Sequence, residues 1–558
     1  GAAGNIIVNQ ITKVNDGAKL HIAETADHVA PNVLTAKGGI NVSSVAGTEL
    51  VLQNNANLMQ DAGVLNSGNI TQFRKANVPS NQYNYWTYPV KAQQLYSLYD
   101  GAVVPANKVM QYNPQNDYFT VIQNTPMALS EFGKGYSVRG PASNPTGNVT
   151  AKFVGEPNNQ TSISAGNEIA LDTFDEGNNF NLIGNPFPSN LDLTKMYDES
   201  NTYGYGNKDK FQSSTAYFWD NVSNTETTQQ GSGYGQSNYA TLNIPSGVGT
   251  AAPCTTCTEA ASSKKPNGIV KPGQGFIVNI KGGATQATTS IKLNNAMRTT
   301  AIRQDSDTED AVYFKNVDNG ASDNIYGSRP KNDKFWIELV NPNGLKIQIA
   351  VGYFERADNT FEIYDSKIMS ENVSENIYSL SKDAKKLTIQ GRQAPFEKTD
   401  VIPLGTKFYV QGKYKIQLEE TVGIFKIHQN IYLKDKYLNE IHNLSQSPYD
   451  FEGTPGVFED RFEIIFQDGN QTSDPVLSTA SDSHVKITKK DHQIEITSSK
   501  DKILEVEIFN LSGWSVYKNA KVNSNALNVP ASLFGKQIVV VKVQTETGKI
   551  VTKKIINK

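Results

Sequence analysis

Two cysteines, Cys254 and Cys257, stand in Pro253-Cys254-Thr255-Thr256-Cys257-Thr258 and are the only thiols of the 558-residue chain. A C-x-x-C pair does redox work where a strand leads into it and a helix leads out. Here Gly, Ala, Ser, Thr and Pro surround it, so the pair reads as loop chemistry: a local disulfide or two free thiols. Two cysteines with no histidine nearby cannot complete a four-ligand zinc site. The six histidines (His21, His28, His428, His442, His484, His492) are scattered, and none is followed by Glu, so H-E-x-x-H is absent. The nucleophile-elbow pattern G-x-S-x-G fails at Gly135-Tyr136-Ser137-Val138-Arg139, where Arg replaces the last Gly. Gly231-Ser232-Gly233-Tyr234-Gly235 is rich in glycine but has no following helix to offer its N-terminus to phosphate. Ser262-Ser263-Lys264-Lys265 spells S-x-x-K beside Pro266, in a stretch that reads as an exposed loop and not as a helix start, so it counts as a chance match.

Carboxylates and rings are what remains. Asp172, Asp175 and Glu176 precede Gly177-Asn178-Asn179. Ca2+ takes about six to eight oxygens, and such a turn could supply several, although the EF-hand pattern is not met. Acid-and-amide turns are equally common on all-β surfaces, so no cofactor is expected and Ca2+ is kept as an option. Tyr83, Tyr85, Trp86, Tyr88, Tyr136, Tyr217, Phe218 and Trp219 could stack on sugar faces, but the plainer reading makes them sandwich core, above all Trp86 and Trp219. Tyr205, Tyr234 and Tyr239 lie in Gly-, Asn- and Ser-rich stretches and are the candidate ligand-contact residues of a binding loop.

The elements that must position these residues are strands. Short segments of Val, Ile, Tyr, Phe and Thr alternate with Asn, Asp, Gly and Ser turns, and only Leu191 to Glu199 suggests a helix. The fold class is therefore all-β: tandem β-sandwich domains, an N-terminal β-solenoid-like or sheet segment, and a C-terminal immunoglobulin-like sandwich. Residues 1–78 carry the irregular strand-turn ladder of a small solenoid. Residues 79–300 are dense in aromatics and glycine and carry a polar loop insertion near 225–265. Gly133-Lys134-Gly135-Tyr136 and Gly273-Gln274-Gly275-Phe276 resemble each other there, each a G-x-G-aromatic turn feeding a strand. Residues 301–467 alternate with period two, as in Phe335-Trp336-Ile337-Glu338-Leu339-Val340, which suits another sandwich. A Ser-, Thr- and Asp-rich linker covers 468–483.

Charge divides the chain unevenly. The whole carries −3 with a pI near 6.2, which offers no basic field to nucleic acid. Residues 484–558 hold 13 lysines against 6 carboxylates, +7, so the first 483 carry −10. No run of about 18 apolar residues exists, so no helix is expected to span a membrane. The chain opens Gly1-Ala2-Ala3-Gly4, with neither the charged nor the apolar region of a leader, which is either absent or removed.

Residues 484–558 show about seven short strands, among them Ile494 and Ile496 alternating with Glu495 and Thr497, and the apolar run Ile538-Val539-Val540-Val541. Their layout resembles the type A C-terminal sorting domain of cargo of the bacterial type IX secretion system. The matching residues are the Phe509-Asn510-Leu511-Ser512-Gly513 turn, the Leu533-Phe534-Gly535 turn, the Gly548 hairpin and the Lys553-Lys554-Ile555-Ile556 end. The resemblance implies an export signal carried by Gly513, Gly535, Gly548, Lys553 and Lys554. It also implies an outer-membrane shuttle protein and the outer-membrane translocon as partners, with passage through the periplasm and outer membrane to the cell surface or the medium. Tyr83-Asn84-Tyr85-Trp86, Gly184-Asn185-Pro186-Phe187-Pro188, Tyr432-Leu433-Lys434-Asp435 and Asp460-Arg461-Phe462 resemble segments of surface proteins from gliding and biofilm-forming Bacteroidetes, many of them adhesin-like. The expected function is that of an exported, non-catalytic cell-surface protein, adhesin-like or structural. The competing expectation is a secreted polysaccharide-binding accessory protein, with surface polysaccharide as partner, or a divergent hydrolase.

Overall fold

The computed structural model describes every residue except 1–3, 27–29, 81, 144–146, 174–178, 221–238, 256–264, 283–286, 302–332, 370–374, 428, 468–483, 491–492, 511–514, 535–537, 548–549 and 557–558. The chain is all-β and forms two compact units, Gly1–Gln467 and Asp468–Lys558. The expected borders at 78 and 300 fall inside the first unit, because continuous apolar cores and strand ladders cross both. The linker expected over 468–483 lies outside the described residues.

The N-terminal strands coil as a solenoid. β1 (Asn5–Val8), β2 (Thr12–Val14) and β3 (Lys19–Ile22) form one coil, and β4 (Val33–Ala36), β5 (Ile40–Val42) and β6 (Glu49–Leu52) the next. β7 (Asn57–Gln60) and β8 (Ile70–Asn77) begin a third. Equivalent strands stack in parallel: β1 on β4 on β7, β2 on β5, and β3 on β6 on β8. Leu34, Ala36, Ile40, Leu50, Leu52 and Leu58 point into the coil and are fully buried. Small residues turn its corners. A Cβ on Gly68 (φ +83°) would stand 2.0 Å from the Val42 carbonyl oxygen, so a side chain there would block stacking.

A duplicated motif follows. In the first copy β8 pairs with Asn148–Gly155 and encloses Tyr83–Trp86, which pairs with Tyr136–Arg139. Val109–Asn113 and then Tyr118–Val121 extend that inner sheet. In the second copy Asn167–Thr173 pairs with Ala287–Leu293 and encloses Phe180–Gly184, which pairs with Gly275–Ile280. Phe211–Trp219 and then Tyr239–Asn243 extend it in the same order. The two inner sheets meet over a shared core of Tyr83, Tyr85, Met110, Phe119, Leu182, Tyr217, Tyr239 and Ile277. The two similar G-x-G-aromatic turns are the corresponding corners of the copies. The polar stretch expected as a loop over 225–265 is only partly one. Its described residues include two buried strands, Tyr239–Asn243 and Val248–Thr250, whose apolar side chains outweigh the polar composition around them.

The rest of the first unit is an eleven-stranded sheet that curls into a nearly closed barrel. Its path runs from Glu440–Asn443 to Tyr449–Gly453. Tyr449 Oη reaches Asp435 Oδ2 at 3.2 Å beside the first of those ends, so the two ends approach each other. Phe335, Ile337, Leu404, Tyr414, Phe462 and Ile464 fill the interior.

One buried cation ties the solenoid to the duplicated motif. Arg298 donates to Ser189 Oγ (2.7 Å), Asn159 Oδ1 (2.9 Å), Asn295 Oδ1 (3.3 Å) and the Leu58 carbonyl, and lies 5.0 Å from the Phe187 ring. None of these acceptors is a carboxylate, and burial pulls its pKa down to about 9. Pro188 accepts from Leu58 N–H at 2.7 Å, so Gly184-Asn185-Pro186-Phe187-Pro188 is the segment that lies against β7.

The second unit is a two-sheet sandwich. Val485–Lys490, Gln493–Ser498 and Ala526–Pro530 form one sheet. Ser515–Asn519, Ile503–Asn510, Ile538–Thr545 and Ile550–Ile556 form the other. Ile494, Ile496, Val506, Ile508, Val539, Val541 and Val543 are fully buried between them, the period-two face read from the sequence.

Candidate functional site

A polar cleft of about 700 Å³ opens where the two copies of the motif meet. The first copy supplies Asn77, Pro79, Gln82 and Asn84, and the second supplies Trp219, Asp220, Gln274 and the run Lys265-Pro266-Asn267-Gly268-Ile269. Strand geometry sets Asn84. It lies between Tyr83 and Tyr85, both packed into the shared core, so its own side chain faces the other way. Gln274 is the middle residue of its G-x-G turn, held by Gly273 at φ +75°.

Local hydrogen bonds orient both amides. Asn84 Oδ1 accepts from Tyr85 N–H (2.9 Å) and Gln274 Oε1 accepts from Lys271 N–H (3.1 Å). Trp219 is half-buried. Its indole N–H donates to the Tyr83 carbonyl (2.9 Å), and Tyr239 meets its ring edge-on at 5.2 Å. The ring is therefore fixed at the cleft wall.

Lys265 also lines the cleft. Its ammonium pairs with Glu419 (2.7 Å) and Glu420 and stands 4.4 Å from the centre of the Trp336 ring. Burial alone would depress this ammonium. The hydrogen bonds it donates to the Glu419 and Glu420 carboxylates outweigh it and hold the lysine above its ordinary value. The exposed loop expected at Lys265 is thus corrected. The side chain is 3% exposed, because two carboxylates from the barrel compensate its charge. Ser262, Ser263 and Lys264 lie outside the described residues.

The other sequence-derived residues do not converge on one place. Tyr239 is not a ligand-contact loop residue. It is buried on the strand Tyr239–Asn243, with its hydroxyl 2.6 Å from that of Tyr85, and burial raises its pKa. Its part at the cleft is to brace Trp219. Tyr205 is half-buried against a separate core, with its hydroxyl 3.5 Å from Asn294 Nδ2, and Tyr234 lies outside the described residues. Tyr83, Tyr85, Trp86, Tyr88, Tyr136, Tyr217 and Phe218 are buried, and of the candidate platform rings Phe218 and Trp219 line the cleft.

Cys254 is buried and disulfide-bonded, while Cys257, the only other cysteine, lies outside the described residues. Asp172 is exposed on the strand Asn167–Thr173, and Asp175 and Glu176 lie outside the described residues. In the second unit Gly513, Gly535 and Gly548 also lie outside them. Lys553 and Lys554 fall on the last strand, opposite Val541 and Val540, and Lys553 Nζ donates to the Ile487 carbonyl at 2.7 Å.

Two carboxyls have pKa values raised to about 7, both chiefly by burial: Glu362 and Asp365. They lie in a packed junction and not in the cleft. Asn243 Nδ2 donates to the carbonyls of Ile363 (3.0 Å) and Asp365 (3.1 Å), and Thr215 Oγ1 donates to Ser366 Oγ (2.8 Å).

Residues 3–466 match a family described as a domain of unknown function (DUF8693), and residues 475–557 match a second domain of unknown function (DUF8694). No curated protein matches the chain.

Proposed function

Because this chain belongs to the family described as domain of unknown function DUF8693, its role has to be read from its own residues, and we propose that it is an exported, non-catalytic cell-surface protein, adhesin-like or structural. Residues 484–558 are its type IX export address. Its partners in delivery are an outer-membrane shuttle protein and the outer-membrane translocon, and its destination is the cell surface, reached through the periplasm.

One observation carries this reading: Asp468–Lys558 is a compact unit with its own sandwich core. An address that is read, and then removed, has to fold without help from its cargo. Two further features agree. The final strand Ile550–Ile556 ends its sheet, paired on one side with Ile538–Thr545, which is the position from which a sheet can take up a partner strand. The module is also strongly cationic, which steers it toward acidic surfaces. The non-catalytic reading draws on Asp365, whose perturbed carboxyl accepts from the backbone N–H groups of Gly391 (2.8 Å) and Glu362 (2.8 Å) in a packed junction away from the cleft.

Fusing residues 468–558 to a fluorescent protein in a type IX-competent host, beside a secretion mutant, tests the proposal. Surface fluorescence is expected in the first strain only. Removal of Gly548 to Lys558 should retain the fusion in the periplasm. Equal surface signal in both strains would overturn the address.

A further inference from the structure

We infer that Lys265 and Gln348 join in an intramolecular amide cross-link, which the chain forms on itself with loss of ammonia. The chain is its own substrate and reacts once, so the inference goes beyond the surface-protein reading and does not rest on export.

A shared atom supplies the first argument. Lys265 Nζ and Gln348 Nε2 both donate to Glu419 Oε2, at 2.7 and 3.2 Å. An amine nucleophile, an amide leaving group and a carboxylate able to carry protons between them thus meet at one oxygen. Gln348 Oε1 accepts from the Ala251 N–H at 2.9 Å, so a fixed donor already polarises the amide carbonyl on the side where negative charge would gather.

The strands supply the second. Gln348 lies between Ile347 and Ile349, which pack into the barrel core, so its side chain stands on the outer face. On Gly412–Val422 the register slips between the pairs Trp336–Glu420 and Ile337–Leu418, which leaves Glu419 as the extra residue of a bulge. A bulge re-aims side chains, and here Glu419 and Glu420 both reach the one ammonium. The Trp336 indole donates to the Gly249 carbonyl at 2.7 Å, and its ring centre stands 4.4 Å from Nζ. Lys265 and Gln348 are both buried, so amine and amide are held together.

Charge supplies the third. Burial raises the Glu419 carboxyl above its ordinary value against the pull of Lys265, with Glu420 and Glu338 adding to the rise. Glu419 is therefore a stronger base than an exposed glutamate. The two carboxylates also favour the charged lysine, so the neutral amine is rare and the reaction slow. One event per molecule is enough.

The step balances. Glu419 takes a proton from the ammonium, and the Nζ lone pair bonds to Gln348 Cδ as the carbonyl π pair moves onto Oε1. Glu419 passes its proton to Nε2 and takes a second from Nζ, and the Cδ–Nε2 bond breaks as the carbonyl re-forms. The second proton follows the leaving nitrogen, which departs as ammonium. Both protons come from Lys265, and no oxidant or co-reactant enters.

The test uses the full chain made by cell-free synthesis, reduced and alkylated at its cysteines, with intact-mass spectrometry and peptide mapping over time. The chain should come to weigh less than its sequence by one ammonia. A digest should hold a branched peptide that joins the segments of Lys265 and Gln348. Asn–Gly pairs such as Asn267-Gly268 lose the same ammonia on closing to an imide, so the branched peptide decides. Lys265→Arg should abolish it, and Glu419→Gln should slow its appearance about a hundredfold or more. Absence of the branched peptide from the unsubstituted chain would overturn the inference, whatever the variants do. So would a link from Lys265 to Glu419 or Glu420 with loss of water, hydrolysis of the Gln348 amide without a link, or an undiminished rate in Glu419→Gln. None of these outcomes bears on surface delivery, which the fusion experiment reads separately.

Discussion

Thr87 and Gly184 make the same bond from opposite copies of the duplicated motif. Thr87 N–H donates to the Gly273 carbonyl at 3.0 Å, and Gly184 N–H donates to the Gly133 carbonyl at 3.0 Å. The isolated bridges repeat the exchange, Trp86 with Gln274 and Ile183 with Lys134. Each G-x-G turn therefore closes on a strand of the other copy, and neither copy is complete alone.

This exchange predicts matched penalties. Gly133 and Gly273 adopt φ +70° and +75°. An added Cβ would stand 2.4 Å from Ile169 Cδ1 at the first and 2.7 Å from Phe153 Cζ at the second. Gly133→Ala and Gly273→Ala should each destabilise the first unit by about 1–3 kcal/mol through the left-handed backbone and the overpacking. Urea unfolding midpoints would measure this. A loss at only one of the two sites would argue against equivalent roles.

In the barrel, Arg461 Nη2 and Asp435 Oδ2 pair at 2.8 Å, and both side chains are almost wholly shielded. Tyr449 donates to the same carboxylate at 3.2 Å, and the rings of Phe451 and Phe462 lie 4.7 and 4.6 Å from the guanidinium. Arg461→Leu leaves a buried carboxylate without its cation and should cost about 3–5 kcal/mol. Asp435→Leu combined with Arg461→Leu should recover a large part of that loss. A double variant as unstable as the single one would contradict the account.

The Glu362–Asp365 junction makes stability depend on pH. Their ordinary values are 4.5 and 3.8, and the fold raises both to about 7. Between about pH 4 and 7 the unfolded chain releases protons that the folded chain retains, so stability falls as pH rises through this window and stays lower above it. Glu362→Gln should raise the melting temperature at pH 8 and leave it nearly unchanged at pH 4. Scans at the two pH values decide the matter, and an equal gain at both would remove the titration from the explanation.

Local alternation made strands such as Gln493–Ser498 readable, and the likeness of two G-x-G turns pointed toward the duplication. The cleft was harder to see. Asn84 sits in an aromatic strand and Gln274 inside a turn, with no local pattern to mark either. Only the pairing of the two copies brings them to one rim. Lys265 and Tyr239 were misread for the same reason: their neighbours are polar, while the partners that bury them, Glu419 and Tyr85, are 154 residues away in each case. Composition reports local solvation, and these positions are governed by distant contacts.

Arg298 and its acceptor at Leu58 are separated by 240 positions. A ribosome adding about 5–20 residues per second needs roughly 12–48 s to reach Arg298 after Leu58 has been made. Throughout that interval the nascent solenoid lacks its latch, and its flank at Leu58 is open to any chaperone that travels with the growing chain.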